Sequence, residues 1–207
     1  MKPYELFNHI WNIKYNKNGF DLDWQIELDA AEKKVRLLFQ PSISVKDWVI
    51  DFVGFFPIIK KPFLYCWGWS LVFSQCQELI FLQLMQFYNA HQDFTVEICG
   101  HSYGGSVAII AGLELYKKHK IKADVVTFGA PMPLFLRRSK KIARECLGNV
   151  IQYAHKSDCV AVCPPFPGYH NLNVKWVGKF NFFHWCNPLK YHMLYGQKEL
   201  YQDSDLE

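Results

Sequence analysis

Gly100-His101-Ser102-Tyr103-Gly104-Gly105 lies between two segments of opposite character. Before it, Phe94-Thr95-Val96-Glu97-Ile98-Cys99 is apolar and β-branched, the pattern of a short buried strand. After it, Val107 to Lys118 runs without proline to a basic end, the pattern of a helix. A Gly-x-Ser-x-Gly between strand and helix is the signature of a nucleophile elbow. There the serine sits on a tight, strained turn, and the glycines let strand and helix approach each other.

The same alternation extends outward from the elbow. Lys34-Val35-Arg36-Leu37-Leu38-Phe39 reads as a strand closed by Gln40-Pro41-Ser42, and Phe20 to Leu28 as a strand or hairpin arm. Leu64 to Trp69 reads as a short aromatic strand and Leu71 to Ala90 as a helix. Further strands are expected at Ala123 to Phe128, Asn149 to His155 and Val174 to Val177, with a helix from Arg138 to Leu147. Strands alternating with helices predict an α/β fold, a mostly parallel central sheet with helices on both faces. Sites in such sheets lie beyond the carboxyl ends of the strands. No repeat or Gly/Ser-rich linker divides the 207 residues, so one domain is expected, with an acidic tail from about 197 to 207.

Composition narrows the function. Half of the residues are hydrophobic and 17% are aromatic, while the net charge of +4 is too small to call for a nucleic-acid partner. Seven cysteines without a Cys-x-x-Cys pair give no zinc or dithiol motif, and several lie in apolar runs as small hydrophobes. The start, Met1-Lys2-Pro3-Tyr4-Glu5-Leu6, lacks the apolar core of a signal peptide, and no run of 18 apolar residues occurs. These features point to a reducing, cytoplasmic location.

A serine hydroxyl needs a base to become nucleophilic, and the chain order in α/β-hydrolase folds is Ser, acid, His. Among acids after Ser102, Asp124 starts a strand and therefore lies at the wrong end of the sheet, and Asp203 and Asp205 fall in the tail. Asp158 directly follows the strand ending near His155, where an orienting carboxylate belongs. His170, His184 and His192 follow it, and order alone does not choose among them. His101 is too close along the chain to serve Ser102 as base and is expected to prop the elbow.

Taken together, the segments from Val35 to Tyr195 resemble the class 3 (fungal-type) lipase family. Gly100-His101-Ser102-Tyr103-Gly104-Gly105 resembles that family's Gly-His-Ser-Leu-Gly-Gly, with tyrosine for leucine. Val126 to Pro131 is similar to the strand that follows there. Asp158 to Pro165 resembles the segment from catalytic Asp to a proline pair, and His192 with Tyr195 the segment carrying the catalytic His. The resemblance implies Ser102, Asp158 and His192 as the triad of a serine carboxyl-ester hydrolase, a lipase acting on acylglycerols or similar lipid esters, without metal or organic cofactor. It implies the NH groups of Tyr103 and Ser42 as oxyanion donors, although Gln40-Pro41 stands where the family has Arg-Gly. It also casts Ile43 to Phe56 as an amphipathic lid that turns Trp48 and Phe52 toward the site or toward a lipid interface. A small-ester esterase, an amidase or an acyltransferase would use the same triad. A catalytically silent membrane- or partner-binding protein on this scaffold is the non-enzyme alternative.

Overall fold

Period-two alternation and helical spacing assemble into two sheets and five helices in a computed structural model that describes residues 1–16, 22–41, 57–180 and 188–202. Helix α1 (Pro3–Asn12) opens with proline in its first turn, and the Glu5 carboxylate accepts the Lys2 NH at 3.0 Å. Strand β1 (Trp24–Asp29) pairs antiparallel with β2 (Lys34–Phe39), Trp24 opposite Phe39. A hairpin of β3 (Pro57–Lys60) and β4 (Phe63–Cys66) leads directly into α2 (Trp67–Ala90). Then come β5 (Thr95–His101), α3 (Tyr103–His119), β6 (Asp124–Phe128), β7 (Leu134–Phe135), α4 (Arg137–Cys146) and β8 (Val150–His155). The chain continues through β9 (Tyr169–His170), β10 (Val174–Val177) and the short α5 (Pro188–His192).

The larger sheet has the order β1-β2-β5-β6-β8-β10 and is parallel except at β1. On β5, Val96 and Ile98 enter a core shared with α2, α3 and α4, while Cys99 enters a smaller core on the other face. That second face is covered by Leu6, Phe7 and Ile10 of α1 and by Tyr195. Helices therefore lie on both faces, as the alternation predicts. Among the described residues, no helix is long and apolar enough to cross a membrane.

The structure differs from the sequence expectation at Trp67 to Trp69, which begin α2 rather than end a strand. Trp69, Val72, Phe73, Cys76, Ile80 and Leu84 are buried at three- and four-residue spacing, so the helical stripe starts at Trp69. The smaller antiparallel sheet, β3-β4-β7-β9, has two members only two residues long. The expected tail is folded at its start: residues 198–201 form a 3₁₀ turn, and Tyr201 Oη donates to the Tyr195 carbonyl at 2.8 Å.

The amino ends of β2 and β5 carry a buried ionic cluster. Arg36, 2% exposed, binds Glu97 through Nε at 2.7 Å, Asp29 at 2.5 Å and Glu32 at 2.7 Å, and Lys34 reaches Glu97 at 2.5 Å. Each charge has a partner, the condition on which ions are tolerated in an interior.

Candidate active site

At the other end of β5 the chain turns through Ser102 with φ 55° and ψ −127°, a strained backbone for a residue with a Cβ. Strain of this kind costs about 1–3 kcal/mol and is held by surrounding bonds. Here the Ser102 NH donates to the Phe128 carbonyl at 2.9 Å, while the Ser102 carbonyl accepts from Gly105 at 3.0 Å. Ser106 Oγ fastens the new helix to the Pro131 carbonyl at 2.8 Å. Gly104 is required by close approach, because a Cβ there would lie 2.7 Å from the Gln40 carbonyl oxygen. The end of β2 thus presses against the elbow. Tyr103 opens α3, so its NH belongs to the positive end of that helix.

Two further segments reach the elbow beyond the ends of β6 and β8. Asp158 follows β8 by three residues, and its Oδ1 accepts the Val160 NH at 2.9 Å. Its Oδ2 lies 2.8 Å from His192 Nδ1 and accepts from Tyr195 Oη at 2.6 Å. Burial and the nearby carboxylate raise the Tyr195 phenol well above its usual value of 10, so it remains a donor. Tyr195 Oη in turn accepts the His155 NH at 2.9 Å, which ties the Asp158 loop to β8. Gly129, at φ +55°, lies beneath this pair: a Cβ would stand 2.8 Å from Asp158 Oδ2 and 2.9 Å from His192 Nδ1. The carboxylate lone pairs thus engage Nδ1 and leave Nε2 as the nitrogen available for proton transfer. Ser102, Asp158 and His192 are all buried.

Of the residues expected from sequence, Asp158 and His192 are joined by a hydrogen bond, and Ser102 and Tyr103 lie at the same carboxyl edge of the sheet. Ser42, Trp48, Phe52, the rest of the expected lid and His184 lie outside the described residues, as do Asp203 and Asp205. Asp124 is at the opposite edge, its carboxylate accepting the Asn149 NH at 2.7 Å. His170 belongs to β9 in the smaller sheet. His101, expected to prop the elbow, has its Nε2 2.8 Å from the main-chain carbonyl oxygen of His192, 91 residues away. Neither this contact nor the role of the Tyr195 phenol is legible in the sequence, although both residues stand in motifs quoted for the resemblance. Among the described residues no group of three or more His, Cys, Asp or Glu side chains is arranged to hold a metal ion.

Comparison with known proteins bears on the family and the fold. The model of the family described as "Lipase (class 3)" matches residues 23–167. The lipase of Rhizomucor miehei is 23% identical over 109 residues, 49% of this chain and 28% of its own length. Secreted mono- and diacylglycerol lipase A of Penicillium cyclopium is 26% identical over 141 residues, 67% of this chain and 46% of its own length. This chain thus spans under half the length of either curated relative. The solved Rhizomucor miehei lipase propeptide complex shares the fold at a TM-score of 0.71 and 19% identity, over 81% of this chain and 56% of that one.

Proposed function

The chain belongs to the class 3 lipase family, and we propose that it is a serine carboxyl-ester hydrolase cleaving acylglycerols or similar lipid esters. The observation that carries this reading is the Asp158 to His192 hydrogen bond at 2.8 Å beside the strained Ser102 turn. Ser102 Oγ adds to the ester carbonyl as His192 Nε2 takes its proton. The tetrahedral adduct collapses by breaking the bond to the alcohol, which leaves with the proton from His192, and Ser102 keeps the acyl group. Water then repeats the sequence, with His192 again as base, and frees the acid. Asp158 holds the imidazole tautomer throughout. The Tyr103 NH, with that of Ser42, is cast as donor to the oxyanion, a role worth about 3–4 kcal/mol in the transition state.

Ser102 is only 5% exposed, which agrees with a site that is covered. The apolar sequence of residues 43–56 is our reason for casting that segment as the cover, with Trp48 and Phe52 meeting lipid when it opens. The lipase names of the curated relatives favour acylglycerols over small soluble esters. We also assign the chain to a reducing, cytoplasmic setting, a reading supported by buried free thiols at Cys76, Cys99 and Cys146.

An alkyl p-nitrophenyl phosphonate tests the chemistry. Labelling at Ser102, read by mass spectrometry and lost in Ser102→Ala, is expected, whereas labelling that survives the substitution refutes the assignment. An ester series of increasing acyl length, assayed below and above its solubility limit with wild type and Trp48→Ala, tests the substrate class and the cover.

A further inference from the structure

His101 is 1% exposed and sits with its ring 4.4 Å, centre to centre, from the ring of His192. Its Nε2 lies 2.8 Å from the His192 carbonyl oxygen. A carbonyl only accepts, so Nε2 carries the hydrogen and Nδ1 of the neutral ring carries a lone pair. Burial, reinforced by the neighbouring His192, holds His101 well below its ordinary value of 6.5, in keeping with a neutral ring. Nδ1 is buried without a hydrogen-bond partner among the described residues. An unmatched nitrogen in an interior is a cost that an apolar ring of the same size would avoid. The feature an imidazole offers here and an apolar ring does not is the bond to His192.

The packing around His101 fits that use. Phe7 meets the ring edge-on at 5.1 Å and 88°, and Trp11 lies 5.5 Å away, so α1 closes the side of His101 away from the sheet. The same helix holds the chain just after His192: Phe7 packs on Tyr195 at 5.7 Å and Asn8 Nδ2 donates to the Gly196 carbonyl at 3.2 Å. Tyr195 secures the Asp158 carboxylate, but the backbone of His192 itself is held from below by His101.

We propose that His101 is a positioning residue for ester hydrolysis, its Nε2–H fixing the main chain that carries the general base, with α1 clamping it in place. The inference rests on the hydrolase reading above and adds a residue to it. The loss expected is in reaction rate rather than in substrate affinity, since His101 is buried beneath His192 and the acyl group meets Ser102.

The test compares wild type with His101→Phe, which keeps an aromatic ring and removes the donor, and His101→Gln, which restores an NH near the Nε2 position. His101→Met, a flexible chain without a donor, is the partner of His101→Gln that requires no ring to fit. Phosphonylation of Ser102 and kcat on a soluble p-nitrophenyl ester should fall roughly 10- to 100-fold in the Phe and Met variants, as expected when a reacting group is misplaced by a fraction of an ångström. KM should stay near wild type, and the thermal midpoint of His101→Phe should change little, because removing the unmatched Nδ1 offsets the loss of the donor to the His192 carbonyl. His101→Gln should recover a large part of the rate. Wild-type labelling and kcat in the Phe and Met variants overturn the proposal and leave the hydrolase reading intact. Equal losses in Gln and Met also overturn it, because the donor then does nothing. Failure of wild type itself to react with the phosphonate removes both.

Discussion

Tyr195 Oη donates at 2.6 Å to the same Asp158 oxygen that lies 2.8 Å from His192 Nδ1, so one carboxylate oxygen is shared by a phenol and an imidazole. Tyr195→Phe deletes this donor and also orphans the buried His155 NH. Its expected cost is about 1–3 kcal/mol in urea-unfolding stability, with a lower kcat and little change in KM. Unchanged stability would mean that the phenol is replaced by water without loss.

Gly129→Ala combines a left-handed backbone with a Cβ aimed at both partners of the Asp158 to His192 bond. The substitution should separate the two side chains and lower kcat by roughly 100-fold, the scale of loss for a displaced catalytic group. Phosphonate labelling kinetics read this directly, while circular dichroism establishes that the sheet persists. Full activity in Gly129→Ala would show that the pair is free to shift.

Protonation of buried histidines sets the acid limit of stability. His101 and His155 are both held below 6.5, chiefly by burial, with Asp158 pulling His155 partly back. As pH falls through 6.5 the unfolded chain binds protons that the folded chain does not, so stability complete above 6.5 is lost below it, toward the folded-state values. Each such histidine contributes a slope of up to about 1.4 kcal/mol per pH unit in that window. Asp29, held low by the Glu32 NH and by Arg36, adds its loss only below the carboxylate value of 3.8. The thermal midpoint should therefore decline from pH 7 to about pH 5, and His101→Phe should flatten the decline.

At the opposite end of β5, Glu97→Gln leaves the buried Arg36 without the carboxylate at its Nε. A loss of about 3 kcal/mol is expected, at the lower end for breaking a buried pair, because Asp29 and Glu32 remain. Glu97 is five residues from Ser102, roughly 16 Å along an extended strand, so kcat per folded molecule should hold. A combined stability and active-site titration separates the two effects.

The Ser102 elbow was legible because strand, glycine spacing and helix occupy twenty-five consecutive residues, and strain at one serine is the product of that local pattern. Asp158 was legible by position, since a carboxylate just past a buried strand lands at the carboxyl edge of a parallel sheet. His192 was separated from His170 and His184 by resemblance alone, because its placement depends on contacts made over 34 residues to Asp158 and 91 to His101. Trp67 to Trp69 read as the end of a strand because a short aromatic run carries no period of its own. The smaller sheet went unseen for a related reason: two-residue strands such as β7 and β9 are defined by their neighbours and have no pattern to display. Helix α1 was hidden in a mixed segment whose apolar face is clear only against Tyr195 and Phe128.

The bond between Asn8 and Gly196 joins residues 188 positions apart, and the face that α1 covers is completed by the segment that bears the histidine. Contacts so distant in sequence form late, after the chain between them has been made and ordered. During synthesis, the elbow and its parallel strands have all their sheet partners once β10 has emerged, while α1 still awaits the residues that close over it. A nascent chain stopped short of His192 would thus carry the strained Ser102 turn without the imidazole that Asp158 binds, and the proposed hydrolysis would begin only when the two ends of the described chain meet.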